Sequence, residues 1–247
     1  FSVWFVAGAQ NIKAKAPANA AGSIPAVAYT KNISDSALLD LVQKQTFRYF
    51  WDFAHPVSGL ARERSNTTWE YGHETTTTGG TGFGIMAIIV AVERGWISRD
   101  TAVGHLRKML RFLRKADSYH GAYPHWLDGA TGKTIPFGPK DDGGDLVETS
   151  YLFQGLLCAR EYFNRNIPAE NQLRNWITWL WNDLEWNWYT RGGLSMLFWH
   201  WSPDNGWSMN NEIRGWNECL ITYVLAASAP KYSISAEVYH RGWANSS

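Results

Sequence analysis

Apolar positions recur at helical spacing in a series of stretches separated by long polar or aromatic loops. The first follows Ser34 or Asp35, either of which can cap it, and carries Leu38, Leu39, Leu41, Val42, Phe47, Tyr49, Phe50 and Trp51. These spread around more than one face, which predicts burial on two sides. A second run, Thr81 to Arg94, is apolar almost throughout. It is shorter than the ~20 apolar residues that span a bilayer and reads as a core helix. After Gly95-Trp96, Ser98 caps a third helix to about Asp117, with Val103, Leu106, Met109, Leu110 and Leu113 opposite Arg107, Lys108, Arg111 and Arg114. A fourth is expected over 145–164 and a fifth over 169–186, with Trp176, Trp179 and Trp181 in the core. A sixth covers 213–228 and a seventh begins at Ser235. Only 194–201 offers a competing strand signal, so the predicted class is all-α.

The intervening segments, 55–80, 118–144 and the aromatic run after Trp186, read as loops, the second long enough to be functional. Helices in pairs, with long loops after each pair, are what an α/α toroid needs to build a groove on one face. Such a ring takes about twelve helices, and a partly built one leaves an apolar wall unpaired. Six or seven helices are visible, so the expected partner is a missing C-terminal half of the barrel or another chain. At the N-terminal side, residues 1–9 (FSVWFVAGA) resemble the end of a signal peptide with an A-x-A site, which predicts a periplasmic or secreted protein. Residues 10–32 read as an Ala-, Pro- and Asn-rich linker, leaving 33–247 as the folded part.

Charge narrows the partners. With 23 basic and 22 acidic residues the net charge is +1, which gives no reason to expect nucleic acid or an anionic membrane. Fifteen tryptophans in 247 residues favour a carbohydrate ligand, since indole faces pack on the C–H faces of sugar rings, although they also fill cores. Cys158 and Cys219 lie among apolar neighbours in predicted helices and read as free buried thiols, with a disulfide left open and no metal spacing.

The densest chemistry is Pro139-Lys-Asp-Asp-Gly-Gly-Asp-Leu-Val-Glu-Thr149, four carboxylates in eight residues ahead of the fourth helix. Were the turn helical throughout, Asp141, Asp145 and Glu148 would share one face. Asp145 and Glu148 also fit a capping box. The aspartates spell D-D-x-x-D, a magnesium-diphosphate pattern, but the glycine pair argues against the helix that pattern requires. Candidate sugar contacts elsewhere are Arg62, His125, Trp126, His200, Trp201 and Trp207, each with ordinary packing as the competing reading.

Several segments together resemble one family. They are Thr81-Gly-Phe-Gly with Val92-Glu-Arg-Gly-Trp-Ile, the acidic segment 139–149, Glu185-Trp-Asn-Trp, Trp199-His-Trp-Ser-Pro and Gly215-Trp-Asn-Glu-Cys-Leu-Ile-Thr-Tyr-Val-Leu-Ala-Ala-Ser. They are similar to the glucoamylase-like glycoside hydrolases, whose bacterial members include endo-β-1,2-glucanases. That resemblance implies an (α/α)6 barrel, of which this chain holds about the first half, and anomer-inverting hydrolysis of a β-glucan without cofactor or metal. It matches the family's acids to Asp141, Asp145, Glu148 and Glu218. A further family aspartate, a candidate base, belongs to the half that this sequence does not include. Inverting hydrolysis needs two carboxyls ~6.5–9.5 Å apart. Asp145 and Glu148 are near neighbours, so Glu218 is expected to act as general acid, its pKa raised by apolar surroundings. Asp145 and Glu148 then hold sugar hydroxyls or assist the water, and Asp141 does so less directly. A non-catalytic carbohydrate-binding protein with the same groove is the alternative.

Overall fold

A computed structural model describes residues 32–65 and 74–244. The leader and almost all of the linker expected at 1–32 lie outside them. Helix α1 spans Asp35–Trp51, with the Ser34 side chain accepting from Ala37 N. Strand β1 (Thr75–Thr77) runs directly into α2 (Thr78–Glu93). Then come α3 (Arg99–Leu113), β2 (Trp126–Asp128), β3 (Thr134–Ile135), β4 (Gly144–Asp145), α4 (Leu146–Tyr162) and α5 (Pro168–Asp183). A 3-10 turn (Trp186–Thr190), β5 (His200–Trp201), α6 (Leu220–Ser228), a short α7 (Ala236–Val238) and a π-helical turn (Tyr239–Ala244) complete the order.

The helices form two rows. Helices α2, α4 and α6 lie side by side, α1 covers α2, and α3 and α5 pack on one another behind them. The centre is a backbone-to-backbone contact. A Cβ added at Gly82 would overlap the carbonyl of Tyr151, and one added at Gly155 would overlap the carbonyl of Gly82. Two glycines on facing helices thus let α2 and α4 approach more closely than side chains allow. Around them pack Ile85, Ile88, Leu152, Phe153 and Leu156, all buried. Helix α3 turns Val103, Leu106, Met109, Leu110 and Leu113 inwards, as its amphipathic pattern predicts, and Ser98 caps it.

Several expectations need correction. Helix α1 is not buried on two sides: Phe47 is its one fully buried residue, and Leu39 is 61 % exposed. Helix α2 starts three residues earlier than expected, at Thr78, and α6 seven later than expected, at Leu220. Of the tryptophans expected in the core of α5, Trp181 is buried but Trp179 is 50 % exposed beneath Arg114. Cys158 is exposed, Cys219 is buried, and both are free thiols. The loops also hold short strands that the all-α expectation omits. Strands β1, β2 and β3 form an antiparallel sheet in which Thr76 faces Leu127 and Trp126 faces Ile135. Strand β4 pairs antiparallel with β5, Gly144 opposite Trp201 and Asp145 opposite His200. The fold remains helix-rich, and these strands sit at one end of the helical rows. None of the described helices is long and apolar enough to cross a membrane.

Candidate active site

The site forms where β4 turns into α4. Asp145 is the N-cap: its Oδ1 accepts from Glu148 N at 2.9 Å, which fixes the first turn. Half of the expected capping box is therefore present. The other half is redirected, because Asp145 N donates to the Tyr123 carbonyl and the Glu148 carboxylate reaches across to α2, where Oε2 accepts from Gly79 N at 2.9 Å. Gly79 has to be glycine for this, since a Cβ would overlap that oxygen. Asp141 lies in the bridge ahead of β4, so the acids share a corner of the molecule and not one helical face.

Two histidines meet the aspartates. His125 Nδ1 is 3.1 Å from Asp145 Oδ2, so both oxygens of Asp145 are engaged. Burial works against a charged ring at His125, but the Asp145 hydrogen bond and the charges of Asp145, Glu148 and Asp141 outweigh it and raise its pKa. His200 Nδ1 stands 3.0 Å from Asp141 Oδ1. Burial pushes the Asp141 carboxyl above its ordinary value, the charges of Asp145 and Asp142 adding to this and those of His200 and His125 opposing it. The largest consequence falls on Glu148. Burial, then the neighbouring Asp145 charge, pushes it from 4.5 up to about 7, against His125 and the Gly79 N–H. A carboxyl so placed holds a proton near neutrality and can donate it.

Glu218 does not sit where the sequence expectation needed it. It lies in the turn before α6, exposed, without the apolar surroundings expected to desolvate it. It nevertheless shares the neighbourhood of the other acids. Tyr151 on α4 and the buried Cys219 both feel the charges of Glu218, Asp145 and Glu148, and burial with these charges pushes the Cys219 thiol up to about 12. The N-terminal parts of α4 and α6 pack together, Ser150 Oγ lying 2.7 Å from Thr222 Oγ1, so Glu148 and Glu218 come from neighbouring elements.

The remaining candidates divide. Trp126 closes the side of the site beside His125, its Nε1 donating to Glu63 Oε2 at 3.0 Å and its ring edge-on to Phe137, which is 51 % exposed. Trp201 and Trp207 belong to an aromatic group with His120 and Trp188, where His120 stacks on Trp188 at 3.7 Å. Both keep part of their surface open. Arg62 is spent locally: its Nε donates to the Phe53 carbonyl and its guanidinium lies over the Phe53 ring, with burial lowering its pKa. His200 is 2 % exposed and cannot act as a surface platform for a sugar ring. Gly79, Phe137 and Tyr151 were not expected at the site. The first is visible in sequence only as one of many glycines, and the others as ordinary aromatics. Among the described residues no group of three or more His, Cys, Asp or Glu side chains is arranged to hold a metal ion.

An open depression lined by Glu185, Asn187, Trp188, Thr190, Gly192, Gly193 and Tyr232 shares Trp188 with the aromatic group and holds none of Asp141, Asp145, Glu148 and Glu218. The chemistry sits with the carboxyls, where shifted ionisation and convergent polar atoms coincide.

Comparison with known proteins follows this geometry. Residues 210–247 match the family described as "Putative glucoamylase", and residues 42–144 match one described as a protein of unknown function (DUF3131). A curated relative from Parabacteroides distasonis, named "Exo beta-1,2-glucooligosaccharide sophorohydrolase (non-reducing end)", is 52 % identical over 220 residues, 88 % of this chain and 30 % of its own length. An endo-β-1,2-glucanase from Chitinophaga pinensis, solved with sophorotriose and glucose, superposes with a TM-score of 0.84 at 51 % identity. That match covers 87 % of this chain and 52 % of the other. A β-1,2-glucanase from Parabacteroides distasonis gives 0.82 at 52 % identity, over 88 % of this chain and 31 % of the other. The chain thus spans about a third to a half of the length of these relatives.

Proposed function

We propose, from a chain that belongs over its matched stretch to the glucoamylase-like glycoside hydrolases, that this protein hydrolyses β-1,2-glucan with inversion at the anomeric carbon. One observation carries the reading: the helix that begins beside Asp145 and Glu148 packs on the one that Glu218 leads into, Ser150 Oγ lying 2.7 Å from Thr222 Oγ1. Paired acids from different elements are what inverting hydrolysis uses, one protonating the leaving oxygen and one activating water. In this reading Glu218 donates the proton once bound glucan excludes water from it. Asp145 and Glu148 hold sugar hydroxyls or orient the water, Asp141 assists, and Trp126, Trp201 and Trp207 offer ring faces. Cleavage within the chain is the proposed mode; among the relatives both an endo and an exo activity are named.

A second assignment of the proton donor is favoured by the ionisation of Glu148, whose pKa of about 7 already suits a general acid without substrate. Glu218→Gln and Glu148→Gln, assayed for new reducing ends on β-1,2-glucan, separate the two. The donor's variant loses turnover by about a hundredfold or more, and near-normal turnover in Glu218→Gln removes it from that role. Glucan binding without any reducing ends, in a parallel isotherm, supports the non-catalytic alternative instead. A ladder of products supports the endo mode, and sophorose alone the exo mode.

The full architecture is proposed as an (α/α)6 ring, with this chain its first half. The inner row leaves Phe83 54 %, Val90 42 % and Val224 47 % exposed, and Trp216 beside Glu218 is 75 % exposed. Those side chains suit cover by further helices of the ring. Export to the periplasm or medium is proposed from residues 1–9, and fractionation of the producing cells tests it.

A further inference from the structure

Four buried side-chain atoms in one corner find no hydrogen-bond partner among the described residues: Asp141 Oδ1, Asp142 Oδ1, and both ring nitrogens of His200. An unpartnered buried polar atom is destabilising, and native structures hold few of them. Three residues keeping such atoms side by side therefore call for a reason. The pairing of β4 with β5 brings them together, since it sets His200 opposite Asp145 and behind Asp141. His200 Nδ1 comes within 3.0 Å of Asp141 Oδ1, an ion-pair distance, yet the ring does not aim an N–H at that oxygen. The contact holds Oδ1 on the buried side and leaves the remainder of the partly exposed carboxylate open. His125 does the corresponding work for Asp145 with a directed bond, so the two aspartates are held by different means.

We propose that His200 is a positioning residue for Asp141. From the buried side it fixes this carboxylate through the 3.0 Å contact to Oδ1, which solvent does not reach, so that the rest of the carboxylate, in a side chain 15 % exposed, faces the site. The charged groups around it are Asp141 and Asp142 ahead of β4, Asp145 on β4, Glu148 on α4 and His125 ahead of β2. The assignment rests on the hydrolase reading for its catalytic meaning, but the pairing itself does not.

Two measurements test it. In proton NMR the ring signals of His200 are compared at one pH between the protein and Asp141→Asn. Removing the partner shifts them, whereas unmoved signals overturn the pairing whatever the activity. In kinetics on β-1,2-gluco-oligosaccharide, His200→Gln lowers kcat by about ten- to a hundredfold with KM within about twofold, as a misplaced reacting group does. The double variant His200→Gln with Asp141→Asn is then no slower than Asp141→Asn alone. Losses that multiply show that His200 acts by another route and overturn the proposal. His200→Asn serves if the glutamine variant does not fold. Absence of any hydrolysis by the unsubstituted protein defeats the hydrolase reading and leaves the NMR result to decide the pairing.

Discussion

Glu148→Gln makes the burial of that carboxyl measurable. The amide is close in size and its oxygen can still accept from Gly79 N, so the contact between α2 and α4 survives. The charge does not. In the unfolded chain the carboxyl titrates near 4.5, and in the folded chain near 7. Below the lower value both states carry the proton. Between the two values only the folded state keeps it, so stability falls as pH rises through this window and levels off above it. Each pH unit is worth about 1.36 kcal/mol, which puts the full loss at roughly 3 kcal/mol. The glutamine variant does not titrate and lacks this slope. Its stability relative to the unsubstituted protein should therefore improve by about 3 kcal/mol between pH 4 and pH 8. With a urea slope of about 1–3 kcal/mol/M, the midpoint difference should change by about 1 M or more. Groups that Glu148 does not touch contribute equally to both proteins, so the difference between the two curves reports on Glu148 and the neighbours its charge acts on. The same substitution removes one of the charges that raise His125, so the midpoint of that histidine should drop in the variant. Midpoint differences that are equal at pH 4 and pH 8 would refute the argument that burial holds a proton on Glu148.

Asp145 separates capping from charge. Asp145→Asn retains a side-chain acceptor for Glu148 N and should cost little stability while lowering the His125 midpoint by NMR, whereas Asp145→Ala should lose about 1 kcal/mol more in denaturant melts; equal stabilities would refute the cap. Gly82→Ala should cost about 3 kcal/mol, because its Cβ meets the backbone of Tyr151 and not a movable side chain; an unchanged melting temperature would mean that α2 and α4 are not in backbone contact.

What could be read in advance follows from the range of the interactions involved. Helix α3 and its Ser98 cap depend on neighbours three or four residues away, and the apolar stripe declares them. The start of α2 depends on α4. Gly79 and Gly82 look like turn residues until Glu148 and Tyr151, 69 residues further on, are placed against them. Apolar continuity suggested that α6 begins at 213, but Gly215 has φ of +80° and the chain does not become helical until Leu220. That difference leaves Glu218 in a turn and exposed. Strands of two or three residues are too short to display a period, so β2, β3 and β4 carry no signal, while β5 falls at the end of 194–201, the stretch that offers one. Gly143-Gly144 was read as a helix breaker. In the fold a Cβ at Gly143 would strike the carbonyl of Trp201, and one at Gly144 the hydroxyl of Tyr189, so the pair is where β4 and β5 close on one another. The acidic segment itself was legible because charge density is a local property. Which histidine faces which aspartate was not, because the partners come from separate loops.

The acids of the segment differ because each is held by something different. Asp145 is committed on both oxygens, to the helix cap and to His125, which fixes where its charge lies. That charge is the second cause, after burial, of the high pKa of Glu148 one turn later. Asp141 is repelled by Asp145 and Asp142 and is balanced by His200 and His125. Sequence order alone would make these residues equivalent. Placing one at a cap, one against a glycine on another helix and one over a buried histidine drives their ionisation apart, which acid–base chemistry requires of a carboxyl pair. Glu218 stands outside this division, exposed at the entrance to α6 beside the open ring of Trp216. Cover by a bound glucan or by further helices would change its surroundings most, since among these acids it is the one that water reaches most freely.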